Sequence, residues 1–155
     1  SYLGLTFKKG KESATGYRLK DGKYIQDSLG HYIKSLKGSS FEFDTYGSGG
    51  IRSTVGDLYL FDQALRNNIL LDSTSMSRAY IKKMLNDSST IPYGFGWRIY
   101  EDSEMKSVYH GGGVLGYRAL FRRGIKNDLN TIIILSNCTN LAAFGILNEI
   151  NGIID

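Results

Sequence analysis

The spacing of apolar residues changes along this chain, and each change marks an element. Tyr17 to Ile25 reads as a β-hairpin, because Asp21-Gly22, a dipeptide favoured in two-residue turns, lies between Arg18-Leu19 and Tyr24-Ile25. From Leu36 to Gly50 the periodicity is lost in a polar, aromatic run ending in Tyr46-Gly47-Ser48-Gly49-Gly50. That run predicts a long loop of the kind that lines sites. A helix is predicted next, with Thr54 as its cap, Asp57 in its first turn, and Leu58, Phe61, Leu65 and Ile69 on a buried face. Ser73 offers a second cap, and Met76, Tyr80 and Met84 mark a second amphipathic helix.

From Tyr93 the period becomes two. Phe95, Trp97 and Ile99 alternate with Gly94, Gly96 and Arg98, which predicts a half-buried strand. Asp102-Ser103-Glu104 is a polar turn, Ser107 to His110 a short strand, and Tyr117, Ala119 and Phe121 alternate in the next. Thr131 to Ser136 is a continuous apolar run, expected at the centre of a buried sheet, and Asn140 can cap a closing helix with Leu141, Phe144, Leu147, Ile150 and Ile154 on its inner side. The short connections predict antiparallel neighbours. The fold class is therefore mixed α/β of the α+β kind, an antiparallel sheet backed by a C-terminal helix with additional helices.

Composition agrees with a folded chain. Its 155 residues are 41% apolar, enough for the core of one domain. The net charge of +4 comes from basic residues in small groups: Lys8, Lys9 and Lys11; Lys82 and Lys83; Arg122, Arg123 and Lys126. Such dispersal reads as a solvated surface and gives no stripe for nucleic acid. The single cysteine, Cys138, follows an apolar strand and reads as a buried thiol. No stretch has the length of a membrane span and no signal peptide is recognisable.

Several chemical motifs are formally present. Gly111-x-Gly113-x-x-Gly116 matches a dinucleotide fingerprint, but a strand pattern follows where the phosphates would need a helix N-terminus. Lys9-Gly10-Lys11-Glu12 lacks the upstream glycine and the following Ser or Thr of a phosphate loop. His31, His110 and Cys138 have no metal-ligand spacing, so neither metal nor cofactor is expected. Ser103-Glu104-Met105-Lys106 is an S-x-x-K, yet it falls in a hairpin, where the serine and lysine side chains diverge. His110, followed by Gly111-Gly112-Gly113, remains open to two readings: a structural histidine satisfied by a carbonyl, or one wall of an active site.

Read in order, the segments resemble the serine β-lactamase and DD-peptidase-like family, including class C lactamases and related esterases. Ala14-Thr15-Gly16-Tyr17 is similar to its "ATGY", and Gly49-Gly50-Ile51-Arg52-Ser53-Thr54-Val55-Gly56-Asp57-Leu58 to its "GGLxSTAxDL". Tyr93 to Trp97 resembles "YGLGW", His110 to Gly113 with Gly116-Tyr117 resembles "HGGGxxGF", and Ile132 to Asn137 resembles "VVVLSN". The resemblance implies acyl transfer through a serine ester, acting on amide or ester bonds. It places His110 and Gly111-Gly112 where the family carries Lys-Thr-Gly on the cleft-edge strand. His110 would support the catalytic tyrosine and the substrate, Gly111 and Gly112 would line the substrate site with Gly112 leaving room for the ligand, and the Gly113 backbone N–H would be an oxyanion donor.

The chain departs from that pattern in one large respect. The family's helix-borne S-x-x-K and its Y-x-N or S-x-N precede "ATGY", and no Tyr-x-Asn or Ser-x-Asn occurs in this sequence. The expectation is therefore that residues 1–155 are the C-terminal part of a single domain of this kind, inactive alone, with its catalytic N-terminal half elsewhere. Such a piece should expose apolar surface and self-associate or pair with that half. The substrate of the whole would be a small molecule or peptide, and the resemblance implies a periplasmic, extracellular or membrane-anchored protein. The alternatives are a non-catalytic binding or regulatory module derived from the same fold, or an unrelated carbohydrate-binding domain.

Overall fold

A computed structural model describes residues 2–3, 14–27, 49, 51–114, 116–126 and 130–154; of residues 2–3 and 151–154 it describes the backbone alone. His31, the basic group at Lys8, Lys9 and Lys11, and the loop from Leu36 to Gly50, except Gly49, lie outside the described residues. The class is α+β, with antiparallel sheets and, among the described residues, three helices. Contacts divide the chain into two compact units: residues 1–54, 112–119 and 134–155, and residues 55–111 and 120–133.

The second unit opens with α1 (Val55–Arg66) and α2 (Ser73–Ala79), then β5 (Lys83–Met84) and β6 (Thr90–Ile91), which form a small hairpin. A four-stranded sheet, whose strands other than β7 have residues in each unit, has the order β10-β9-β8-β7, from β7 (Arg98–Glu101), β8 (Lys106–Val114), β9 (Tyr117–Lys126) and β10 (Thr131–Ser136). Leu65, Met76, Ala79, Tyr80, Ile99 and Val108 form the core, with Trp97 and Ile125 packed against it. Ile99 and Val108 face each other in the β7–β8 register, so one antiparallel pair contributes to the core from both strands.

Several expectations change here. α1 ends at Arg66 because Asn68 adopts a left-handed φ of +55°, with Asn68 N–H bonding to Leu65 O and Ile69 N–H to Ala64 O. This double closure is a Schellman termination. It turns Ile69 out of the helix face, leaving it 73% exposed. α2 is capped by Asp72, one residue earlier than expected, whose carboxylate accepts from Ser75 N–H at 2.8 Å. That helix stops at Ala79, so Met84 falls in β5 and is exposed.

The run from Tyr93 to Trp97 is a turn where a strand was expected. Gly94 N–H bonds back to Trp97 O at 2.8 Å, Gly96 has a φ of +76°, and the strand begins at Arg98. Phe95 is consequently exposed under the Lys83 ammonium, whereas Trp97 lies between Tyr80 and Phe121. β10 is an edge strand among the described residues, not the centre of the sheet. None of its residues is fully buried and Leu135 is exposed, so the apolar run marked neither a central nor a fully buried strand. Arg122 and Arg123, read as surface charges, are buried.

The first unit contains the predicted hairpin, β2 (Tyr17–Lys20) with β3 (Lys23–Gln26). Asp21 and Gly22 both have positive φ, +50° and +73°, as the two-residue turn requires. Tyr17 also forms a parallel bridge with Cys138, through its N–H to Asn137 O and its carbonyl to Thr139 N–H. Cys138 is half-buried and free. Asn140 caps this strand, not the last helix: its Oδ1 accepts from Leu19 N–H at 2.6 Å. The helix α3 (Ala143–Ile154) begins later than expected, and buries Ala143 and Leu147 while Phe144 is exposed. In the same unit, β1 (Tyr2–Leu3) pairs with β4 (Ile51–Arg52). Gly116, at φ +85°, lies so close to the Gly16-Tyr17 backbone that a Cβ would sit 2.7 Å from it.

Candidate functional site

His110 to Gly113 are consecutive residues of β8, which is a nine-residue strand and not a short strand followed by a glycine loop. Glycine disfavours strands when its neighbours are ignored. Here β9, the neighbour of β8 on the side away from β7, runs beside the glycines, whereas the β7 register ends at Tyr109. Gly111 is half-buried, while His110, Gly112 and Gly113 are exposed.

The His110 ring meets Tyr93. Tyr93 Oη lies 3.0 Å from Nε2, and the rings stand edge to face with centroids 6.0 Å apart. Tyr93 is held at both backbone groups: its N–H bonds to Ile91 O at 2.8 Å and its carbonyl accepts from Lys83 N–H at 3.2 Å. Next to it, Gly94 presses on α2, where an added Cβ would be 2.0 Å from Ala79 O. The structural alternative for His110, a ring satisfied by a carbonyl, is replaced by a ring paired with a phenol.

The two exposed glycines differ. Around Gly112 an added Cβ would meet nothing within 4 Å, so the fold itself does not demand glycine there. At Gly113 a Cβ would collide with the Arg118 guanidinium, which also donates to Tyr117 O at 3.2 Å.

The S-x-x-K copy is built for a turn. Asp102 Oδ1 accepts from the N–H groups of Glu104 and Met105, and Tyr100 donates to Oδ2. The Met105 and Glu104 amides, then Tyr100, hold the Asp102 carboxyl below its ordinary range. Lys106 Nζ is 3.3 Å from Glu101, so this lysine is committed to an ion pair across the hairpin. Among the described residues no group of three His, Cys, Asp or Glu could hold a metal ion, and no helix is long and apolar enough to cross a membrane.

Sequence reasoning missed the most buried polar cluster. Asp62 on α1 has no exposed surface and receives Arg123 from β9, Arg66 Nε at 2.8 Å and Thr131 Oγ1 at 2.9 Å. Arg123 also donates to the Tyr80 hydroxyl. Burial pushes the Asp62 carboxyl up, but the hydrogen bonds from Arg66, Arg123 and Thr131 and the Arg123 charge outweigh it, so the group ends below its ordinary value. For Tyr80, burial raises the phenol against the pull of Arg123. The only signal in the sequence was the Asp62-Arg66 spacing of one helical turn.

Penicillin-binding protein 4* of Bacillus subtilis (strain 168) is 38% identical to this chain over 92 residues, 59% of this chain and 20% of that protein. The putative penicillin-binding protein PbpX of the same strain is 28% identical over 144 residues, 93% of this chain and 32% of that protein. The chain resembles penicillin-binding proteins. It spans a minor part of the length of either relative, 20% and 32%. No protein-family profile matches the chain. The resemblance to penicillin-binding proteins agrees with the segments quoted above.

Proposed function

We propose that this chain is the C-terminal part of a serine acyl-transfer enzyme of the β-lactamase and DD-peptidase-like kind, supplying the strand at the cleft edge and inactive alone. The observation that carries the reading is the His110-Gly111-Gly112-Gly113 segment of β8, exposed except at Gly111, with open space at Gly112 that nothing among the described residues fills. A glycine the fold does not require is explained by a ligand that needs the room. In the resting enzyme His110 would hydrogen-bond toward the substrate and the catalytic tyrosine. As the serine attacks, negative charge grows on the carbonyl oxygen, and the Gly113 N–H would be one of the donors aimed at it. The serine, its lysine and the Y-x-N or S-x-N element would lie outside these residues. Small-molecule β-lactams, peptides or esters would be the substrates, and the missing half the partner of this chain.

Labelling with a fluorescent penicillin tests the reading. Residues 1–155 alone should take no label and leave nitrocefin intact. The gene product extended upstream in its own reading frame, with an S-x-x-K, should label. In that longer protein His110→Ala should slow acylation by about a hundredfold or more. Turnover by residues 1–155 as a monomer, or full-rate acylation of His110→Ala, overturns the proposal. A stop codon or unrelated sequence upstream would favour the non-catalytic module.

A further inference from the structure

We infer that Tyr93 is a positioning residue that fixes the tautomer of the uncharged His110 ring, donating its phenolic proton to Nε2 and leaving the ring proton on Nδ1 as a directed hydrogen-bond donor. Its value for chemistry rests on the cleft-edge reading above; the pairing itself rests on geometry alone.

The hydroxyl is delivered by a built platform. Tyr93 bridges Arg98, Arg98 faces Tyr109 in the β7–β8 register, and His110 follows Tyr109 directly. Around Tyr93, Ile99 N–H bonds to Pro92 O at 2.9 Å and Phe95 N–H to Ala79 O at 3.0 Å. Gly94 is seated against Ala79, and Trp97 packs edge-on to both Tyr80 and Phe121. The turn therefore has little freedom, and the strand that carries His110 is paired. Both partners are fixed before they meet, so their hydrogen bond sacrifices little additional entropy.

The direction of the bond follows from the two groups. A phenol is a good donor and a modest acceptor, because its oxygen lone pair is shared with the ring. A neutral imidazole offers one basic nitrogen as an acceptor and one N–H. Matching the better donor to the better acceptor puts the Tyr93 proton on the hydrogen bond to Nε2 and leaves the imidazole proton on Nδ1. With Nε2 occupied, His110 cannot act as a base through that atom. It presents a directed N–H, where a lysine would present a permanent charge.

Long-range 1H–15N spectra of the chain labelled with 15N-histidine test this directly at about pH 9, where an ordinary histidine is neutral. His31→Gln assigns the remaining ring to His110. The expected spectrum has Nδ1 at the shift of a protonated ring nitrogen and Nε2 at that of an unprotonated one. Tyr93→Phe should move His110 toward the opposite tautomer or a mixture. Protonated Nε2 in the unsubstituted chain overturns the inference, and so does a Tyr93→Phe spectrum identical to it. If Tyr93→Phe fails to fold, the tautomer of the unsubstituted chain still decides. Absence of penicillin labelling in the longer protein, with the Nδ1–H tautomer intact, would remove the cleft-edge reading and leave the pair standing.

Discussion

Asp62, on the inner side of α1, carries a charge with no access to water, and it does so because two arginines and a threonine surround its oxygens. Removing that charge strands the arginines. Asp62→Asn should lower the unfolding free energy by about 3–5 kcal/mol, the usual cost of breaking a buried pair from one side; urea titration measures it. The acid dependence follows from the same site. A carboxyl held below its ordinary value stabilises the fold fully above its unfolded value, about 3.9, and loses that contribution as pH falls through the lower folded one. Thermal melts below about pH 4 should show that loss, and Asp62→Asn should flatten it. Gly112 makes the opposite kind of prediction. Gly112→Ala meets no atom, so stability should change by less than about 0.5 kcal/mol while penicillin acylation of the longer protein falls. His110 was visible in the sequence because its neighbours are unusual; Asp62 and Arg123 were not, since each looks like any surface charge until the fold brings them together.

At the scale of elements, local chemistry was a good guide where it acts alone. Asp21-Gly22 specifies its turn by the positive φ it tolerates, and the hairpin forms where expected. The guide failed where a neighbour decides. Tyr93 to Trp97 alternates like a strand, but Gly94 is pinned to the end of α2 and Gly96 reverses the chain. Gly94→Ala should therefore destabilise by about 2 kcal/mol or more, since a Cβ 2.0 Å from Ala79 O forces backbone to move. The same variant should weaken the Tyr93–His110 pair, read as a change in the His110 tautomer. Helix ends were misplaced for a related reason. Periodicity continues through Ile69 and Met84, and only the left-handed Asn68 and the closure at Tyr80 stop the helices before them.

For the whole molecule, the exposed apolar side chains are the feature with consequences. Leu60, Ile69, Leu70 and Leu71 all lie on the surface of the second unit, with Val55 and Tyr59 exposed on the same helix as Leu60. Exposed apolar surface on this scale favours association. Sedimentation velocity should show a concentration-dependent increase in mass, and Leu60→Lys with Ile69→Lys should reduce it; a monomer at every concentration would exclude self-association through this surface. By itself, the sequence determined the α+β class, the first hairpin and the ordered segments in which the chain resembles the serine β-lactamase and DD-peptidase-like family. Those follow from residue type and local spacing, which act over a few positions. Only the tertiary structure decided that His110 meets Tyr93, that Asp62 is buried among arginines, and that the glycines after His110 are strand. The first two depend on residues far apart in sequence becoming neighbours and the third on the pairing of β8 with the strand that follows it, and the spacing of apolar positions carries no record of which neighbours those are.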